Sequence, residues 1–159
     1  MTEKEQQALK TIKKHMWGAM GAGLIPFLAV DLLAVSAVQL KMVAAISKIY
    51  GVPFVANCGK AVIGSLFGSL APNAGGGFAA SAIFKTIPLI NLFGGAVMAL
   101  LSGAATWALG KVFIQHFESG GSFLDLNPEE VREYFKAQFE EGKKMATSMK
   151  AGEKTEAPA

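Results

Sequence analysis

Three apolar blocks occupy the middle of this chain, at residues 16–40, 61–84 and 86–110. The first and third are long enough for a helix that crosses a bilayer, which takes about 20 apolar residues. Pro26 interrupts the first block, because a proline inside a helix removes a hydrogen bond and clashes with the preceding turn. A short Gly/Ala-rich segment is therefore expected before it, and a new helix from about residue 26 to residue 50. Gly51-Val52-Pro53 supplies the stop, with glycine at the C′ position and proline just beyond.

The second block has no charge and carries Gly64 and Gly68, a small-xxx-small spacing that lets two helices approach closely. Pro72-Asn73 and Gly75-Gly76-Gly77 require a turn, so a hairpin tip is expected there. The third block is the strongest transmembrane candidate. Its apolarity comes largely from Ala and Gly, which favours a helix packed against neighbours, and Trp107 near its end suits either an interfacial position or a place in the core.

The two ends read differently. Residues 1–15 are a polar helix or lead-in, with Leu9 and Ile12 at helical spacing. Lys10, Lys13 and Lys14 just before the apolar block fit two readings equally, cations that meet lipid phosphates or a solvated helix terminus. Beyond a linker at 118–127, Asn127 caps a helix, Pro128 takes its first turn and Glu130 occupies the capping-box position. That helix is predicted over 128–149. Val131, Tyr134, Phe135, Phe139 and Met145 form one apolar stripe, and Glu129, Glu133, Lys136, Glu140 and Lys143 lie on other faces. Its balanced charge argues against a lipid-seeking helix and for one that turns its stripe to a partner protein. Residues 150–159 lack apolar periodicity and are expected to be disordered.

Composition strengthens this division. In 159 residues, 52% are apolar and only 17% charged, against about 25% charged in an ordinary soluble domain. Disorder, collagen and a disulfide scaffold are excluded. Residues 16–117 hold one acid, Asp31, and five lysines: Lys41, Lys48, Lys60, Lys85 and Lys111. A soluble core of that length would be threaded by solvent-facing charges. Residues 16–117 therefore read as a membrane-embedded helical domain between charged ends. Val35-Ser36-Ala37 could pass for a signal cleavage site, but cleavage is not expected, because Glu3 and Glu5 precede the apolar block and Asp31 breaks it.

Candidate chemistry is sparse. His15 and His116 flank the apolar region without metal-ligand spacing, and Cys58 is the single cysteine. Gly59-Lys60-Ala61 lacks the Ser or Thr of a phosphate-binding loop, and Phe54 stands where its first glycine belongs. No catalytic, cofactor-binding or metal-binding residue is assigned. A net charge of +3 without a basic stretch interleaved with aromatics gives no reason to expect nucleic acid. Asp31, Gln39 and Lys41 are the candidate interhelical polar contacts. A carboxylate in a membrane helix is costly unless paired, but a place in the early turns of a helix starting near residue 26 eases that cost.

Taken in order, Ile25-Pro26, Asp31-Leu32, Val38-Gln39-Leu40-Lys41-Met42 and Ile49-Tyr50-Gly51-Val52 resemble the YcjF-related family of GTPase-associated membrane domains. Ile87-Pro88, Thr106-Trp107-Ala108-Leu109-Gly110-Lys111, Phe117-Glu118 and Gly120-Gly121 continue the likeness, which covers roughly residues 14–143. It implies a bacterial integral membrane protein and a GTPase nearby. With no phosphate loop here, that GTPase would be a separate polypeptide.

The expectation is thus an all-α protein of membrane-embedded, Gly/Ala-rich helical hairpins with a C-terminal amphipathic helix. It would act without catalysis as an anchor or scaffold and self-associate in the bacterial inner (cytoplasmic) membrane, with the C-terminal helix on the cytoplasmic side. Two rival readings are a self-assembling channel lined by polar residues and an apolar helical module buried in a large soluble complex.

Overall fold

The computed structural model describes residues 1–22, 28–69 and 95–156, and among these all regular structure is helical. The helices are α1 (Glu3–Ala22), α2 (Leu28–Tyr50), α3 (Ala56–Gly68), α4 (Gly95–Glu118) and α5 (Pro128–Glu156). The all-α expectation is met. No described helix is long and apolar enough to cross a membrane.

Contacts between helices fix their directions. Gly103 faces Met20 while Gly110 faces Ile12, so α1 runs antiparallel to α4. Gln39 bonds Thr106 and Tyr50 bonds Glu118, so α2 runs parallel to α4. Gly142 sits on Ala104 and Ala146 on Gly103, which makes α5 antiparallel to α4. The central helix is α4: Ser102 to Gly110 are buried without a break, covered by α1, α2 and α5. α3 closes one side through Phe67, whose ring lies 6.2 Å from that of Phe135 on α5.

Two expected boundaries change. Residues 1–15 do not form an element of their own, because α1 runs unbroken through Met16 to Ala22. Ala8, Ile12, Met16, Ala19 and Met20 form one buried stripe at helical spacing, and only Ala8 and Ile12 belong to the expected polar lead-in. The C-terminal helix also runs beyond Met149 to Glu156 rather than giving way to a disordered tail. Once the first five turns are packed, each added residue gains a hydrogen bond without a new nucleation step. Ala, Lys and Glu at 151–156 are good helix formers that extend it past Gly152.

Residues 118–127 connect α4 to α5, as the linker expected there, and they do so through ordered turns. Helices α2 and α4 end in the same way: Gly51 (φ +74°) and Gly120 (φ +86°) adopt the left-handed conformation that glycine tolerates. Val52 N–H then donates to the Ser47 carbonyl and Gly121 N–H to that of His116. These are Schellman turns, which satisfy carbonyls left open at a helix end. The C′ position expected for Gly51 is borne out. At the start of α5, Glu129 N–H donates to the Asn127 side-chain oxygen at 3.1 Å, while the Asn127 amide donates to Glu130 at 3.0 Å. Asparagine thus caps this helix as its sequence required.

Candidate functional site

The candidate polar contacts separate into three cases. Gln39, 1% exposed, donates to the Thr106 hydroxyl at 3.4 Å across the α2–α4 seam. Thr106 donates in turn to the Ser102 carbonyl at 2.7 Å, one turn back on its own helix. Such a contact between packed helices favours one register, because a slip leaves the Gln39 amide buried without this partner. Lys41 does not join this seam: it points outward and is exposed, two residues round the helix from Gln39. Asp31 is in the first turn of α2, but its side chain lies outside the described residues.

Gly64 and Gly68 were expected to let helices approach. A Cβ at either meets nothing within 4 Å among the described residues. Close approach occurs on α4 and α5 instead. A Cβ on Gly110 would lie 2.5 Å from Ile12, one on Gly103 2.8 Å from Met20, and one on Gly142 2.6 Å from the Ala104 carbonyl oxygen. The Ala/Gly content of the third apolar block therefore serves packing within the chain, as its lack of bulky side chains implied. Trp107 is also part of that core rather than at an interface; its indole N–H is buried with no acceptor among the described residues. The Lys111 ammonium lies 5.9 Å from its ring centre.

The stripe on α5 meets this chain's own core. Phe135 is wholly buried, and Val131, Tyr134, Phe139 and Met145 pack around it against the other helices. This corrects the partner-facing assignment: α4 is too apolar to be left bare, and α5 is the helix that covers its remaining side. Burial, followed by the charge of Glu141, pushes the Tyr134 hydroxyl up. What α5 presents outward is charge, largely neutralised along the helix by Arg132–Glu129, Lys136–Glu133 and Lys143–Glu140 pairs.

Sequence reasoning missed a built cluster where α2 and α4 end. Phe113, Phe117 and Phe123 form a triangle with ring centres 5.4–5.5 Å apart, and Phe54 stands edge-on to Phe123 at 5.5 Å. Above it the Tyr50 hydroxyl donates to Glu118 at 2.9 Å, and burial together with that bond raises the Tyr50 hydroxyl well above its ordinary value. His116 Nε2 lies 2.9 Å from the Ser122 carbonyl and 3.5 Å from Asp125. Asp125 accepts from the Ser122 hydroxyl at 2.7 Å and from its N–H at 2.6 Å, which lowers its carboxyl to about 2. The glycine pair and the spacing of the aromatics were the available signals. Their convergence depends on two loops meeting.

None of these groups assembles a nucleophile with a base. Facing a carbonyl, the His116 Nε2 serves as a donor to the loop backbone. Cys58 is free and half-buried. No group of three or more His, Cys, Asp or Glu able to hold a metal occurs among the described residues. Of the central lysines, Lys41, Lys48 and Lys60 are exposed, Lys111 stands over Trp107, and Lys85 lies outside the described residues.

A family model described as "Domain of unknown function (DUF697)" matches residues 1–144. The chain is 37% identical over 141 residues to magnetosome membrane protein 22 of Magnetospirillum gryphiswaldense, a match covering 88% of this chain and 72% of that protein. No solved structure matches it.

Proposed function

The chain belongs to the DUF697 family, and we propose that it is a non-enzymatic, membrane-associated helical scaffold. The observation that carries this reading is the division of polarity. α1 and α5 clothe α4 and turn charged faces outward, whereas residues 23–34 and 70–94 hold one charge each, Asp31 and Lys85. Those two stretches are the membrane-directed parts, and the helices around α4 form a unit at the water boundary. The relative's name, a magnetosome membrane protein, supports the same assignment.

Placement in a bacterial inner membrane with α5 on the cytoplasmic side extends the proposal, as does self-association. A separate GTPase as partner follows from the sequence resemblance. Such a partner would meet the charged outer face of α5, since its apolar stripe is occupied.

The test is cysteine accessibility in membranes of cells making the full chain, in a Cys58→Ser background. Cysteines at positions 79 and 83 are expected to resist a membrane-impermeant maleimide until detergent is added. Cysteines at Lys13 and Ser148 should label readily once the membrane is opened. Release of the protein by alkaline carbonate, with positions 79 and 83 labelled at full rate, would overturn embedding.

A further inference from the structure

We propose that the outer stripe of α1 formed by Lys10, Lys13, Lys14 and Trp17, extended by Lys41 of α2, docks on a layer of anionic phospholipid headgroups. The inference rests on the membrane-associated reading and names the surface through which the water-facing unit meets the bilayer.

Residues 10, 13, 14 and 17 follow the i, i+3, i+4, i+7 spacing of one helix face, and all four are exposed. The opposite face holds Ile12, Met16 and Met20 in the core. Trp17 is 43% exposed, an unusual place for an indole that has no core role. The only acids of α1 are Glu3 and Glu5 in its first turn, and none follows before Asp31.

Lys41 joins this surface by topology. Being antiparallel and parallel to α4 respectively, α1 and α2 are antiparallel to each other, and a Cβ on Gly18 would lie 3.6 Å from Val38. Lys14 and Lys41 each stand about one turn from that crossing, in the same direction. Four cations therefore lie on two neighbouring helices.

These cations have no ion pair among the described residues, unlike three of the cations on α5. On α5, Arg132, Lys136 and Lys143 each meet a glutamate three residues earlier. Lys10, Lys13, Lys14 and Lys41 meet no carboxylate within 4 Å among the described residues. Unpaired ammonium groups beside an exposed indole match the boundary of a bilayer, where phosphates lie outside and the indole sits at headgroup depth. The chain passes from α1 directly into the apolar residues 23–34. That continuity favours a lipid surface over a nucleic acid, which would use the cations but not the adjoining apolar stretch.

The experiment uses the full-length chain carrying Trp107→Phe, so that Trp17 is the sole tryptophan. It is mixed with vesicles of phosphatidylcholine alone or with about a third phosphatidylglycerol, a mixture that supplies the anionic charge. On anionic vesicles Trp17 emission is expected to shift to the blue and to be quenched by brominated lipid. Lys10→Gln, Lys13→Gln and Lys14→Gln together should weaken binding to anionic vesicles at least about tenfold and leave binding to neutral ones unchanged. The corresponding triple arginine variant should restore it. Equal binding by the glutamine triple, with Trp17 open to iodide, overturns the stripe while vesicle binding preserves the membrane reading. Failure to associate with any vesicle overturns both. Tighter binding to duplex DNA than to anionic vesicles, lost in the same triple, also overturns the proposal.

Discussion

Gly142 of α5 rests directly on Ala104 of α4: a Cβ at residue 142 would stand 2.6 Å from the Ala104 carbonyl oxygen and 2.9 Å from its Cα. Backbone meets backbone there, so neither side can yield by rotating a side chain. Gly142→Ala gains about 1 kcal/mol in helix propensity, yet overpacking should lower stability by about 1–3 kcal/mol net. Gly64→Ala, with nothing opposite it among the described residues, should instead raise stability by about 0.5–1 kcal/mol. Denaturant unfolding of the two variants checks both signs, and a loss at Gly64 would place another segment against it.

Gly121 faces the His116 ring so closely that any Cβ would overlap its imidazole. Gly121→Ala is expected to displace the ring from the Ser122 carbonyl and loosen residues 119–126. Amide hydrogen exchange should show faster exchange of the Ser122 N–H, while the amides of central α4 keep their protection.

The loop at Asp125 carries a pH dependence of known sign. Its carboxyl is lowered to about 2 by accepting from the Ser122 hydroxyl and then from the Ser122 N–H. A depressed carboxyl contributes stability above its unfolded value, and that contribution is lost as pH falls from about 4 towards 2. Asp125→Asn should therefore flatten the acid limb of the loop's stability profile. Following Ser122 exchange or chemical shifts between pH 5 and pH 2 in both proteins reads the difference.

The buried seam predicts an asymmetry between two replacements of Gln39. Thr106 retains the Ser102 carbonyl whatever stands at 39, so Gln39→Leu leaves no orphaned donor and should change stability by less than about 1.5 kcal/mol. Gln39→Ala opens a cavity between α2 and α4 and should cost about 2–4 kcal/mol. Thermal melts of the pair distinguish a polar contact that sets register from one that supplies stability.

Trp107 gives a similar contrast. Its buried indole N–H has no acceptor among the described residues, a cost of about 1–3 kcal/mol that Phe would remove along with some packing. Trp107→Phe is expected to stay within about 1 kcal/mol of the parent, and Trp107→Ala to lose about 3–5 kcal/mol. Denaturant midpoints at constant slope would check this.

Local signals were legible in the chain. Gly51 as a helix stop, Asn127-Pro128-Glu129-Glu130 as a helix start and the helical stripe of α5 all follow from short-range rules of hydrogen bonding and spacing. Gln39 reaches across to Thr106, because a lone amide among apolar residues needs a partner. Lys41, two positions away, points outward, since the helix turns it about 200° from Gln39. The phenylalanine triangle at 113, 117 and 123 was not legible, because its third member arrives by way of a folded loop.

The sequence by itself determined an all-α chain, its strongest helix ends and the concentration of charge outside residues 16–117. Only the tertiary structure decided which surface each apolar residue meets. Lipid and protein interior exclude water alike, so a charge-poor stretch such as α4 reads the same in either. Its burial beneath α1, α2 and α5 is a property of contacts between residues far apart in the chain, and hydropathy along a single segment contains no such term.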